Sequence, residues 1–243
     1  MPPYTKDELT SNLADFHLLI IFCEAYGKEY ASTDQRLHIE CLHRTYNTVK
    51  ELMANINNYN AMLNVAIFEK QQAFNGLEDM CNKIIDYLII YTENNEAVKY
   101  VKSYYDDIVQ VRNEQKVNAY IKDSYSNQEP YINLIAHFGN MINELAESNE
   151  YSPYHTDIKL EALKKKFRIM VKRSLRHKEI MDEYSDSLVE RDNYFYNKTE
   201  GIIELANNIK EYIKTSFGEN SHEFKQINGL EFRHTVPSEK QRL

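Results

Sequence analysis

Tryptophan is absent from this chain of 243 residues, and glycine (6) and proline (5) are scarce. Turns and tight strand connections draw on glycine and proline, so a chain poor in both favours long helices over a many-stranded sheet. The same scarcity leaves little raw material for a phosphate cradle of backbone N–H groups. Neither a GxxxxGK loop followed by Ser or Thr nor a GxSxG nucleophile elbow occurs. Cysteine is sparse too: Cys23, Cys41 and Cys81 lie apart without CxxC spacing. Such a scattered, odd set reads as reduced thiols in a cytosolic protein, not as a disulfide frame. Long apolar runs are missing. The longest, Leu18 to Cys23, is six residues, where a membrane-spanning helix needs about 20, so it reads as part of a buried first helix. The opening MPPYTKDELTSN has no basic region leading into an apolar stretch, which argues against a signal peptide. Together these absences predict a soluble, cytoplasmic protein. Positive charge is also in deficit, with a net charge of -8. That weighs against general nucleic-acid binding, which needs a basic surface, while leaving room for a local basic patch.

What the chain does contain is one helical pattern, written twice. Gly76-Leu-Glu-Asp-Met-Cys-Asn-Lys-Ile-Ile-Asp-Tyr87-Leu aligns with Gly201-Ile-Ile-Glu-Leu-Ala-Asn-Asn-Ile-Lys-Glu-Tyr212-Ile, an offset of 125 with four identities in 13 pairs. Upstream, positions 35, 38, 42, 45, 49, 52, 56, 59, 63 and 66 follow a 3–4 alternation, and so do the positions 125 further on. A 3–4 alternation over more than four heptads is a helix with one continuous packing seam. Self-similarity of this kind sets the architecture before any motif is considered.

The expected fold is therefore all-α, a tandem duplication of a short–long–short three-helix unit, arranged end to end or side by side. In the first unit, helix A should start near Ser11 and run to about Tyr30. Ser32, Thr33 and Asp34 offer caps for the long helix B, which Asn55-Ile-Asn-Asn-Tyr59 threatens to interrupt. Asn75 and Thr199 are candidate caps for helix C, over 76–92 and 200–216. Pro130 should open the second helix A, over 131–147, and Gly218 should close the second helix C. The expected organisation is 1–111 as first unit, 112–129 as a helical or polar connector, 130–232 as second unit and 233–243 as a disordered tail.

The second unit carries Tyr151-x-Pro153, Arg191-Asp192, Tyr196, Gly201 and Lys210-x-Tyr212. These are followed by Phe217-Gly218, Ser221, Phe224-Lys225-x-Ile227 and Gly229-Leu230-x-Phe232. In order and spacing this resembles the C-terminal signature of a family of bacterial helical proteins to which no activity is assigned. The resemblance covers about a third of the chain and implies a helical fold and no catalytic residues. The first unit lacks the signature: Ala66-Ile67 stands where the 125-residue offset would put Arg-Asp, and Tyr91-Thr92-Glu93 where it would put Ser-Phe-Gly.

One run stands out in charge. Lys164 to Lys178 holds eight Lys/Arg in fifteen positions. Lys165, Lys172 and Arg176 fall on one helical stripe, with Lys166 and Arg173 beside it, while Phe167 and Met170 keep to the seam. The candidate binding residues are Lys165, Arg168, Lys172, Arg173 and Arg176, a docking strip for nucleic-acid backbone, an acidic protein or lipid head groups. The plainer alternative is a solvated face answered by Glu144, Glu147, Glu204 and Glu211. No aromatic residue interleaves the stripe as a stacking platform, which disfavours single-stranded nucleic acid.

Other constellations are thinner. Glu40-Cys-Leu-His43 is an ExxH, the half-motif of carboxylate-bridged di-iron bundles, but its counterpart in the second copy is Lys165-Lys-Phe-Arg168. Glu219-Asn-Ser-His222 falls in a turn after Gly218. His177, on the seam, is either a buried pH sensor or a hydrogen-bonded, inert histidine at the seam's edge. Arg191-Asp192 is either a binding pair or a salt bridge that fixes register. The tyrosines read as boundary residues with a wet hydroxyl end. A duplicated scaffold without duplicated reactive groups points to a non-enzymatic scaffold or protein-interaction protein, with no catalytic, metal or cofactor site. Its partner should be another protein or a second copy, with nucleic acid disfavoured. The alternative is an anionic-partner module using the strip, and the second copy is where a working surface is expected.

Overall fold

The computed structural model describes residues 6–92, 95–118 and 129–233, and every regular element among them is helical. The α-helices are α1 (Lys6–Ala25), α2 (Ile39–Phe74), α3 (Leu77–Tyr91), α4 (Asn95–Asn118), α5 (Glu129–Glu147), α6 (Leu160–Tyr196), α7 (Ile202–Phe217) and α8 (His222–Asn228). No helix among the described residues is long and apolar enough to cross a membrane.

The seam explains the two long helices. Along α2, Leu42, Val49, Leu52, Leu63 and Ala66 are buried; along α6, so are Leu163, Met170, His177 and Arg191. The asparagine-rich stretch does not interrupt α2. Asn55, Asn57 and Asn58 face solvent, while Ile56 and Tyr59 stay half-buried on the seam. Asparagine costs a helix only some tenths of a kcal/mol per residue, less than the packing it interrupts.

Several ends differ from the sequence expectation. Helix α1 starts at Lys6, ahead of Ser11, and ends at Ala25, with a 3₁₀ turn (Gly27–Glu29) carrying the chain on. Asp34 caps a second 3₁₀ turn, Gln35–Leu37, and not the long helix itself. The N-caps of α3 and α7 are Gly76 and Gly201. Asn75 bonds instead to Gln72, and Thr199 donates its backbone N–H to Asn197. Gly76 sits at φ 70, the left-handed region where a side chain is strained. At Gly201 the constraint is space: a Cβ there would lie 2.6 Å from the carbonyl oxygen of Asn197. Gly218 closes α7 at φ 97, as the sequence implied. The expected turn follows it over 219–221, and an eighth helix that the sequence did not suggest, α8, begins at His222, with the Ser221 hydroxyl accepting from the N–H of Phe224.

Residues 1–61 together with 182–243 form one compact unit, and residues 62–181 form the other. These units differ from the segments 1–111 and 130–232, because each long helix contributes to both. Residues 112–118 belong to α4, while 119–128 of the connector and 234–243 of the tail lie outside the described residues.

In the first unit, Phe16, Leu19 and Ile20 of α1 pack with Leu42 and Val49 of α2, Phe195 of α6, Ile202, Ile209 and Ile213 of α7, and Ile227 of α8. The chain returns over this core: Asn12 exchanges two hydrogen bonds with the backbone of Arg233. In the second unit, Phe74 of α2, Leu77 and Ile84 of α3, Ile108 of α4, Phe138 of α5, and Leu163 and Met170 of α6 form the core. Here α2 and α6 run antiparallel, since Glu69 meets Arg173 and Asn75 meets Lys166.

The same device leads into each long helix. The buried Tyr30 donates its hydroxyl to the carbonyl of Leu37 at 2.9 Å, and the buried Tyr151 donates to that of Ile158 at 2.5 Å. Each acceptor ends a single 3₁₀ turn just ahead of the helix.

Candidate functional site

The first half of α6 is held by its inward row, and that fixes what faces out. Leu163, Met170, His177 and Ile180 are buried in the second unit. On a helix of 3.6 residues per turn, Lys165, Arg168, Lys172 and Arg176 then share the opposite face, and all four are exposed. None of the four makes an ion pair or hydrogen bond with another described residue. Arg173, the fifth candidate, is separated from them: half-buried, it bonds to Glu69 of α2 at 2.6 Å. Lys166 is likewise tied down, donating to the Asn75 carbonyl at 2.7 Å, and burial together with nearby Arg112 holds its pKa below the ordinary lysine value.

Among the five candidate residues, Arg173 is answered by Glu69, on the long helix α2, and not by any of the four glutamates expected from the sequence. Apolar side chains flank the four remaining cations. Leu175 is 56% exposed and Ile169 40%. Phe167, Val171 and Leu175 line an open hollow of about 520 Å³ with Arg168, Lys172 and Arg176. This is a basic row edged by apolar surface, suited to a partner carrying both carboxylates and apolar groups.

Beneath the strip lies a polar pair inside the core. Lys70 of α2 and His177 of α6 are 4% and 1% exposed, with Nζ 3.3 Å from Nδ1. A lysine ammonium can only donate, so Nδ1 accepts and a neutral imidazole carries its proton on Nε2. Burial lowers Lys70 to about 8. Burial, and then the adjacent Lys70 charge, lowers His177 to about 4. The Tyr131 ring lies 4.2 Å from the ammonium and supplies the interaction that a carboxylate would otherwise give. His177 is thus a deeply buried core group with a charged neighbour, and no edge residue. Beside it on α6, the buried Ser174 Oγ has no hydrogen-bond partner among the described residues.

The distinctive residues of the second copy have structural duties in the first unit. Arg191, 8% exposed, bonds to adjacent Asp192 at 2.5 and 2.8 Å. A pair formed within one turn of one helix cannot fix register between helices. The Tyr212 hydroxyl accepts from the Ala31 N–H, and its ring meets Tyr30 edge-on. Phe217 packs on Tyr26, and Lys210 donates to the Leu230 carbonyl while standing over Phe232. These contacts seat the C-terminal segment on the core, whereas Lys165, Arg168, Lys172 and Arg176 are left exposed without an ion pair among the described residues.

The remaining candidates disperse. His43 bonds to Glu24 of α1 at 2.7 Å and not to Glu40. No three His, Cys, Asp or Glu side chains converge in a metal-holding arrangement among the described residues. His222 begins α8. Cys23 and Cys81 are buried, and burial raises both thiols to about 12, which disfavours the nucleophilic thiolate. Comparisons with protein-family models, curated proteins and solved structures find no match to this chain.

Proposed function

We propose that this is a non-enzymatic protein-interaction protein whose working surface is the outward face of α6, and that its partner presents carboxylates. The observation that carries the reading is the row Lys165, Arg168, Lys172 and Arg176: four exposed cations without an ion partner among the described residues, in a chain of net charge -8. Arg168, Lys172 and Arg176 follow one another at four-residue steps, where like charges destabilise a helix by some tenths of a kcal/mol each. A face selected for stability alone would alternate its charges. The flanking Leu175 and Ile169 favour an acidic protein surface over a phosphate backbone, which offers no apolar complement.

Titration with labelled polyglutamate and, separately, with duplex DNA tests this. Polyglutamate should bind at low salt, weaken as salt rises, and lose most of its affinity when Arg168→Glu, Lys172→Glu and Arg176→Glu are combined. Unchanged binding by that variant, or tighter and equally salt-sensitive binding to duplex, overturns the reading.

The scaffold that carries this face we read as a duplicated short–long–short unit. Its support is the corner device, whose tyrosines stand 121 positions apart, and the starts of the long helices at Ile39 and Leu160, which do too. The following helices start 125 apart, at Leu77 and Ile202. The difference arises because α6 is one residue longer than α2 and link 197–201 three residues longer than link 75–76. Four residues are close to one helical turn, so the slip leaves seam positions on the seam. In the 121 register Phe74 pairs with Phe195, and the buried Lys70 with the buried Arg191.

A further inference from the structure

The outward face of α6 does not stay basic. Past Arg176 the same face continues with Glu179, Glu183, Asp186 and Glu190, all exposed. At 100° per residue, these four carboxylates and the four cations fall within one arc of about 80°. All eight residues belong to one helix, Leu160–Tyr196.

We propose that this face pairs with the same face of a second copy, antiparallel, about a two-fold axis near His177–Lys178. This rests on the reading that α6 docks a carboxylate-bearing protein surface, and it identifies that surface as the acidic half of α6 itself. The register follows from the sequence. Reversing one helix about that midpoint sets Lys165 opposite Glu190, Arg168 opposite Asp186, Lys172 opposite Glu183 and Arg176 opposite Glu179. Every cation of the row meets a carboxylate, and the two-fold repeats each pair. An isologous interface requires such self-complementarity, since residue i must meet j while j meets i. A parallel pairing would instead stack like charges along the whole row. Leu175 and Ile169 edge the basic half, and Val189, 70% exposed, edges the acidic half. They give the paired helices apolar flanks beside the charges, the inverse of a coiled coil with charges beside an apolar seam.

Exposed ion pairs are individually weak, so the dimer should be concentration-dependent and salt-sensitive. Sedimentation velocity of the intact chain, from about 0.01 M to about 1 M salt, spans Debye lengths of about 30 to 3 Å. The expected result is a dimer at low salt that dissociates as salt rises. The variant Arg168→Glu with Lys172→Glu, and separately Glu183→Lys with Asp186→Lys, should each raise the dissociation constant on the order of tenfold or more. Combining all four substitutions in one chain should restore self-association, and mixing the two half-reversed chains should give a heterodimer. Helix content by circular dichroism shows that each variant is folded. A monomer at low salt, a dimer indifferent to either half-reversal, or no recovery in the combined variant overturns the proposal. If wild type stays monomeric yet still binds polyglutamate through the strip, the self-pairing falls and the broader reading stands. If it binds no polyglutamate even as a monomer, both fall.

Discussion

The two compact units each bury a cation toward the end of a long helix, Lys70 in one and Arg191 in the other, and they deal with it differently. In the first unit Arg191 has a carboxylate beside it, Asp192, at 2.5 Å. In the second, Lys70 meets a histidine and an aromatic ring, and no carboxylate among the described residues. The guanidinium and the carboxylate are adjacent in sequence, so one helical turn is enough to bring them together. A lysine against an imidazole keeps its charge by suppressing protonation of its neighbour, so the Lys70–His177 pair makes the stability of the second unit depend on pH. A long helix can thus hold a buried cation in two ways, with a carboxylate beside it or with a neutral imidazole and a ring across the core.

The comparison breaks most severely at the large core side chains. Phe74 and Phe195 are fully buried, each at the end of its long helix. Truncation to alanine should cost about 3–5 kcal/mol in either case. Hydrogen exchange should show Phe74→Ala opening α3, α4 and α5, and Phe195→Ala opening α1, α7 and α8. Equal loss of protection throughout the chain by both variants would show that the two cores do not act as separate units.

The next effect is the titration. His177 takes a proton near pH 4 in the folded chain, against 6.5 ordinarily. Between those values the unfolded chain binds more protons, so stability falls as pH drops from 6.5 toward 4. For Lys70 the folded value is about 8 against 10.5. The unfolded chain again holds the extra proton between them, so stability rises with pH across that window. Each window is worth at most about 3 kcal/mol. Urea unfolding of wild type and His177→Leu over pH should differ in slope only in the lower window, because the carboxylates titrate equally in both. Lys70→Met should raise the His177 titration midpoint, followed by NMR of its ring proton, without restoring it to 6.5, since burial is the larger cause.

Glycine offers a smaller contrast. Gly201→Ala drives a Cβ into the Asn197 backbone and should cost about 2 kcal/mol or more. Gly76→Ala meets open space and should cost only the left-handed penalty, about 1–2 kcal/mol. Thermal melts of the pair should rank them in that order; the reverse ranking would mean that link 197–201 yields more easily than its contacts suggest.

How much of this the sequence revealed depends on the range of the interaction. The seams were legible because periodicity is written in every turn, and Gly218 because a left-handed helix end has a local signature. The basic strip was legible as a charge run. Its pairing was not: Glu69 and Arg173 lie 104 positions apart, and nothing local marks Glu69 as the residue that faces α6. The Lys70–His177 pair was hidden for the same reason, and because a lysine at that position of a polar helix looks solvated. The caps misled because Asn75 and Thr199 have the right chemistry one or two residues too early, while the chain turns at the glycines. The long helices start 121 positions apart and the helices after them 125 apart, a difference of about one helical turn that the seam cannot report.

The smallest effect tests that register most directly. If Tyr30 and Tyr151 are the same device 121 positions apart, removing either hydroxyl should cost the same. Each donates to a buried carbonyl ahead of a long helix, and Tyr→Phe leaves ring packing intact. The expected loss is about 1 kcal/mol from each, with some added cost because Leu37 or Ile158 loses its side-chain donor. The rings also match: Tyr30 meets Tyr212 edge-on and Tyr151 meets Tyr87 in the same way, at 5.3 and 5.6 Å. Those contacts survive the substitution and should cancel in the comparison. Chemical denaturation of Tyr30→Phe, Tyr151→Phe and the double variant should give two nearly equal losses that add, since the corners belong to separate cores. A loss confined to one corner would mean that only one of these hydrogen bonds anchors a helix start, and that the likeness between the corners is geometric without being energetic.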